Sequence, residues 1–453
     1  MSGSGPHLNK PPWLAMAIFA GVLTAPVCYP SWPGYMSYDA LLAYEQAVQG
    51  IQTALWPPLH SYMFQVSRLI GAETWGLFLV QTFALLFGAA LILHVLTPRR
   101  PLAWTLCLFF AGGLVFFPTL LGTLLAQWRD VPTAAFALLG VGLWLAAAQA
   151  RSIPLLALGI VSLSLSIGLR YNAFVLVGPA IMLLVWRPFL DRGPAWGPRS
   201  VALVLLIAGL GGVWASSQWR LPDGVPLPNA QNFAATQQFD LIGVSACAGD
   251  NYLPRAVTNG RPITVAQIRK AYDPRHLLMT LQAKPGVPQM VETSANGAIK
   301  ETWGAVMLRE PGCYLAHRAA VAVEQMGMAR GEVFYPTHGA IDANRFGLAL
   351  RHPAQSQAVV AYIRSHADET ARRPWVLYVL ALTLGLWAAV LARPFALTIL
   401  ALLAGAFGYP ALLFLAGPAA DARYIFPSSI FCLVIALVSL GIMLRPTSRG
   451  ARA

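Results

Sequence analysis

A mainly helical, polytopic membrane protein is the fold class that this sequence predicts. Three observations predict it: 57% hydrophobic against 11% charged residues in a chain of 453, a mean hydropathy of +0.58, and repeated apolar runs long enough to cross a bilayer. So little charge cannot coat a soluble globule of this size. The net charge of +13 is not gathered into a basic stripe with interleaved aromatics, so no nucleic-acid partner is expected.

Spanning runs are placed at 13–29, 74–96, 102–122, 131–149, 153–169, 173–187, 200–217, 375–392, 395–416 and 425–444, giving about ten helices. With a cytoplasmic N-terminus, the inner connections carry Lys10, Arg99, Arg100, Arg151, Arg187, Arg192, Arg199, Arg393, Arg445, Arg449 and Arg452 against the single acid Asp191. This is the positive-inside pattern, and it makes both termini cytoplasmic. Residues 1–29 resemble a signal peptide, but no small-x-small cleavage pattern follows Lys10 and the apolar stretch, so an uncleaved first helix is expected.

Three units follow: an N-terminal transmembrane module at 1–217, an outer domain at 218–374 between spans 7 and 8, and a C-terminal transmembrane module at 375–453. The first outer connection, 30–73, is too long for a turn. Leu41, Tyr44, Val48 and Ile51 recur at helical spacing, as do Tyr62, Val66, Leu69 and Ile70, so two amphipathic helices should lie in the interface. Between them the prolines of Trp56-Pro57-Pro58-Leu59-His60 make a rigid break. In the outer domain, helical patterns fall near 264–272, 301–309, 313–327 and 354–369. Cys247 and Cys313 both lie there and can pair in an oxidising compartment, or stay as two buried thiols.

Of 18 acidic residues, 12 lie in 218–374, leaving six, and five of those six fall on the predicted outer side: Asp39, Glu45, Glu73, Asp130 and Asp421. Carboxylates beside a bilayer are costly and point to function. Three occur in short motifs at the ends of apolar runs, Ser37-Tyr38-Asp39, Trp128-Arg129-Asp130 and Asp421-Ala422-Arg423-Tyr424. Arg129, Arg170 and Arg423 depart from the positive-inside trend at these places, where an anion would bind; arginine forks suit phosphate.

Blander roles stand beside these. The arginines can snorkel to headgroups, Asp39 and Asp130 can cap their helices, and Arg170-Tyr171-Asn172 can be an ordinary turn. His60 is either an interfacial aromatic or a ligand contact. In the functional reading Asp39 is a general base whose pKa desolvation raises. Asp130 positions the acceptor or binds metal, and Arg170 and Asn172 donate to phosphate or sugar. No HExxH, CxxC, Walker loop, GxSxG or GxGxxG context supports a protease, redox, nucleotide or hydrolase reading.

On Asp39 in the long first outer loop, Trp56-Pro57-Pro58-Leu59, Arg129-Asp130, Arg170-Tyr171-Asn172 and Asp421-Ala422-Arg423-Tyr424, the chain resembles the C-type superfamily of membrane glycosyltransferases. It departs from the pattern in having one acid rather than an Asp-Glu pair in the first motif, and Trp56 for the usual histidine. The resemblance implies transfer of a hexose or pentose from a polyprenyl-phosphate donor to a glycan, lipid or protein hydroxyl, with inversion. It implies an inner-membrane enzyme with a periplasmic site, Asp39 and Asp130 as catalytic carboxylates, and Arg129, Arg170, Tyr171, Asn172, Arg423 and His60 as donor-binding residues. No cofactor is required, and a divalent metal is left open. The rival readings are a lipid-linked glycan flippase or transporter and a non-catalytic envelope polysaccharide assembly protein. A transporter predicts repeated halves and polar residues near the membrane midplane, whereas here they sit at span ends.

Overall fold

The computed structural model describes residues 12–50, 57–97, 99–186, 232–258, 260–275 and 296–444. Among them the chain is almost wholly helical, with two isolated β-bridges and no strand. The expected span 200–217, and Trp56 of the proline motif, lie outside the described residues.

In chain order the first elements are α1 (Trp13–Cys28), α2 (Tyr38–Gln49), α3 (Leu59–Leu69) and α4 (Trp75–Leu96). Next come α5 (Arg100–Phe116), α6 (Pro118–Leu124), α7 (Asp130–Ala150), α8 (Ile153–Leu169) and α9 (Ala173–Trp186). Among the described residues, six helical segments are long and apolar enough to cross a membrane: Trp13–Ser31, Trp75–Leu96, Asp130–Ala150, Pro374–Leu391, Phe395–Ala416 and Ala422–Met443. This is an integral membrane protein by composition and helix length. Helices α8 and α9 are apolar but shorter.

The run expected at 102–122 is not one straight helix. It is α5 and α6, bent by 90°. Pro118 supplies no N–H and biases its predecessor away from helix, and Phe117 is extended at φ −97°, ψ 92°. The bend turns α6 under the residues that build the site. The connection after α1, expected on the outer side, does form two short helices, α2 and α3, which pack on each other. Tyr44 and Phe64 meet edge to face, with ring centroids 5.7 Å apart. Glu45 pairs with Arg345, and Glu73 accepts from Tyr44 Oη at 2.7 Å.

The polar part holds α10 (Asn232–Ala248), α11 (Val265–Ala271), α12 (Asn296–Arg309), α13 (Pro311–Gln325) and α14 (Pro353–His366). The chain then finishes with α15 (Pro374–Leu391), α16 (Arg393–Ala416) and α17 (Phe426–Met443). Thr264 and Gln267 form a capping box that starts α11. Cys247 and Cys313 are disulfide-bonded, Cα to Cα 5.6 Å, tying α10 to α13. Helix α13 fixes this unit to the apolar bundle by donating to carbonyls at the end of α16. Tyr314 Oη reaches Leu415 at 2.7 Å, Arg318 Nη1 reaches Gly417 at 2.6 Å, and Gln325 Nε2 reaches Ala419 at 3.2 Å. Those carbonyls lie just before Asp421.

Under α13, Asp240 Oδ2 takes Arg318 Nη2 and Trp303 Nε1, each at 2.8 Å, while Oδ1 is 3.2 Å from His317 Nε2. The side chains of Asp240, His317 and Arg318 are wholly buried. Removing one partner strands the other charge, which costs about 3–5 kcal/mol. Asp240→Ala is therefore expected to destabilise the protein by about that much. A thermal melt read with limited proteolysis between α10 and α13 checks it; an unmoved melt would show that the cluster is not a structural anchor.

Candidate active site

The site is assembled on a short ladder of extended backbone at residues 35 and 36. Tyr35 N–H donates to the Leu125 carbonyl at 2.9 Å, and Gln127 N–H donates to that of Tyr35 at 2.8 Å. On the other side, Met36 N–H donates to the Ala340 carbonyl at 2.9 Å, and Asp342 N–H donates to that of Met36 at 2.9 Å. Three segments remote in sequence are thus held side by side. Gly34, at φ +109°, allows the approach, because a Cβ there would lie 2.8 Å from Gln127 Cγ. Gly122 in α6 does the same on the far side, where a Cβ would lie 2.2 Å from the Pro336 carbonyl oxygen.

From this ladder Ser37-Tyr38-Asp39 enters α2, and Trp128-Arg129-Asp130 enters α7. Neither acid caps its helix with its side chain. Ser37 Oγ instead accepts the Trp128 indole N–H at 2.8 Å, locking the two motifs together. A cleft is lined by Asp39, Gln46, Pro57, His60, Ser61, Trp128, Arg129, Asp130 and Arg423.

Arg423 is the centre of the charge arrangement. Its Nη1 is 2.8 Å from Asp39 Oδ2 and its Nε is 3.1 Å from Asp421 Oδ2. Its guanidinium carbon lies 4.8 Å from the centroid of the Trp128 ring and 5.0 Å from that of Tyr424. Such stacking holds an arginine plane while leaving its charge in place. Asp39 is 36% exposed and Arg423 13%, so the pair opens on the cleft.

Burial pushes the Asp39 carboxyl up, but Arg423, then Arg129 and Arg170, outweigh it, and its pKa lies below the ordinary carboxylate value. The expected upward shift is thus corrected: the arginines act more strongly than desolvation. Asp421 goes the other way, raised chiefly by burial with Arg423 only partly offsetting it. Two carboxylates on one guanidinium are thereby pushed apart.

Asp130 and Arg170 form a second pair. Nε is 2.8 Å from Oδ1, and Nη2 donates to Oδ2 at 3.1 Å. Asp130 is 1% exposed and Arg170 8%, and Arg170 also lies over Tyr424, 4.9 Å from its centroid. Asp130 lines the cleft, with Arg170 behind it. The fork of Arg170 is therefore occupied by a carboxylate. Tyr171 turns outward, 51% exposed, and Asn172 is half-buried in the turn, its carbonyl accepting from Val175 N–H at 3.1 Å; neither lines the cleft. Asp39, Asp130 and Asp421 each face an arginine, and among the described residues no group of three or more His, Cys, Asp or Glu could hold a metal ion. This donor set does not fit a metal.

Sequence reasoning missed Tyr335, His338 and Asp342, which the ladder brings beside Trp128. They lie some 200 residues beyond it in the chain, and although His338 and Asp342 stand four apart, no apolar run or motif marks the segment. The ring centroids of Tyr335 and His338 are 6.0 and 6.2 Å from that of Trp128.

No family model matches the sequence, and no curated protein matches it. Among solved structures the chain is similar to ArnT from Cupriavidus metallidurans bound to undecaprenyl phosphate, at 15% identity and a TM-score of 0.33, covering 96% of this chain and 78% of that one. A score this low carries no argument. The chemistry rests on the side chains of the cleft.

His60 gives a pH test. It is 5% exposed, and burial, helped by Arg129, lowers its pKa to about 3. The unfolded chain then binds a proton below the ordinary value of 6.5 that the folded one refuses. Stability from neutral His60 is complete above pH 6.5 and is lost as pH falls from there towards about 3. The difference in melting temperature between His60→Gln and the wild type should shrink or change sign across that window. A difference constant with pH would contradict the assignment.

Proposed function

We propose that this chain is a membrane glycosyltransferase that moves a sugar from a polyprenyl-phosphate donor to an acceptor hydroxyl, with inversion at the anomeric carbon. The observation that carries the reading is the Asp39–Arg423 contact of 2.8 Å, which sets a carboxylate and an arginine fork, of the kind that suits phosphate, side by side on a cleft. The resemblance of the Asp39, Arg129-Asp130 and Asp421 to Tyr424 motifs to those of C-type membrane glycosyltransferases supports it. So does the position of the cleft at the ends of apolar helices, where a lipid tail can lie along the bundle while its phosphate stays at the interface. The site then faces the periplasm, as the arginine distribution of the loops predicts.

In this reading the donor phosphate binds at Arg423 with Arg129 beside it. The acceptor oxygen forms its bond to the anomeric carbon as the bond from that carbon to the phosphate oxygen breaks. The bonding pair leaves with the phosphate, and the hydroxyl proton goes to Asp39. Arginine stabilises the charge that develops on the leaving phosphate, so no general acid is needed. The depressed pKa of Asp39 makes it a poor base while Arg423 is its partner. A phosphate that draws Arg423 towards itself removes the counter-charge, and the carboxylate becomes more basic when the donor is in place. Asp421 keeps the other edge of Arg423 oriented, and the Asp130–Arg170 pair fixes the start of α7.

Asp39→Asn tests both halves. Sugar transfer from a panel of radiolabelled undecaprenyl-phosphate hexoses and pentoses should fall by about a hundredfold or more. Binding of undecaprenyl phosphate should tighten by about tenfold, because Arg423 loses a competing anion. Full transfer activity in this variant would remove Asp39 as the base.

A further inference from the structure

The stretch between Tyr335 and Asp342 carries a polar chain that the transfer reaction as derived above does not use. Tyr335 Oη is 2.5 Å from His338 Nδ1, and His338 Nε2 is 3.0 Å from Asp342 Oδ1. The His338 side chain is 10% exposed and that of Asp342 43%. Tyr335 itself is 38% exposed and stands at φ +51°, a conformation that side-chain-bearing residues seldom adopt. Such strain is held only where the surroundings over-determine it. Here they do: Met36 grips the segment through the backbone of Ala340 and Asp342, and Gly122 lets α6 approach Pro336. The phenol ring is thereby set beside Trp128, a residue that lines the cleft and carries Arg423 on its ring.

The order of protons along the chain follows from its ends. Asp342, as a carboxylate 3.0 Å from Nε2, favours the His338 proton on that nitrogen, which leaves Nδ1 as an acceptor. Tyr335 must then give its one proton to Nδ1, and its oxygen presents lone pairs alone. A partner at that oxygen has to be a donor, an O–H or N–H group; a carboxylate or an ether oxygen finds nothing to bond.

We propose that Tyr335, held by His338 and Asp342, is a binding residue for an O–H or N–H group of the acceptor, placing that acceptor beside Asp39. The assignment rests on the transfer reaction proposed above. It requires an acceptor that carries a hydrogen-bond donor beside its attacking hydroxyl, and makes His338 and Asp342 positioning residues that set which way the phenol points its proton. Burial lowers the pKa of His338, with Asp342 opposing, so the arrangement holds at neutral pH. The groups facing His338 are Asp342, the Met36 backbone, Tyr335 and, farther off, Arg423. Once His338 takes a second proton, on Nδ1, it donates to the phenol, and Tyr335 turns from acceptor to donor.

The test uses the full chain in nanodiscs, with the radiolabelled undecaprenyl-phosphate hexoses and pentoses as donors and the envelope fraction of the source cells as acceptor. Tyr335→Phe should raise the half-saturating amount of acceptor by about five- to tenfold, the worth of one hydrogen bond. That loss should exceed the loss in kcat and leave binding of undecaprenyl phosphate intact. In the wild type the half-saturating amount should also rise as pH falls below the ordinary histidine range, and His338→Gln should flatten that rise. A Tyr335→Phe enzyme with wild-type half-saturation, or a pH dependence unchanged by His338→Gln, overturns the assignment while leaving the transferase reading in place. Absence of transfer by the wild type from every donor overturns both.

Discussion

One guanidinium is asked to satisfy two carboxylates. Arg423 holds Asp39 at 2.8 Å and Asp421 at 3.1 Å while its faces are covered by Trp128 and Tyr424. Aromatic stacking fixes the plane, so the fork has few ways to rotate, and what competes for it must come from the cleft. That constraint sets the protonation of both acids, with Asp39 held down and Asp421 pushed up by burial. In the proposed transfer reaction it also ties two chemical tasks together, because the group that would hold the donor is the group that restrains the proposed base.

The rest of the architecture serves to keep that contact in register. The backbone ladder at Tyr35 and Met36 joins the start of α2, the start of α7 and the stretch around Ala340, so that residues about 300 apart in the chain meet within hydrogen-bond distance. The bent α5–α6 pair supplies a floor under it, through Gly122 against Pro336. From the other end, α13 grips carbonyls at and just beyond the end of α16 with Tyr314, Arg318 and Gln325, setting the direction in which Asp421-Ala422-Arg423-Tyr424 enters α17. The buried Asp240 cluster holds α13 itself. The buried Asp130–Arg170 pair joins α7 to the end of α8.

The helices, and the gathering of Asp39, Asp130 and Arg423 at one cleft, were legible because each leaves a local mark: apolar runs of spanning length, and charges where composition otherwise forbids them. What was not legible depends on partners. The break at Phe117-Pro118 sits in an unbroken apolar run, where only the backbone chemistry of proline signals a bend. The direction of the Asp39 shift needed the distance to Arg423, because burial and a neighbouring arginine act with opposite sign. Arg170 reads in sequence as an available cation, yet its fork is filled by a carboxylate 40 positions earlier in the chain. Tyr335, His338 and Asp342 stand three and four apart but in no apolar run or motif, and only the ladder brings their segment to Trp128.

The most direct measurement is a cryo-EM structure of the full chain in nanodiscs saturated with undecaprenyl phosphate. The account predicts the phosphate within hydrogen-bond distance of the Arg423 guanidinium, Asp39 released from that arginine and facing the cleft, and Asp421 still in place. A phosphate bound elsewhere, with the Asp39–Arg423 pair intact, would contradict it.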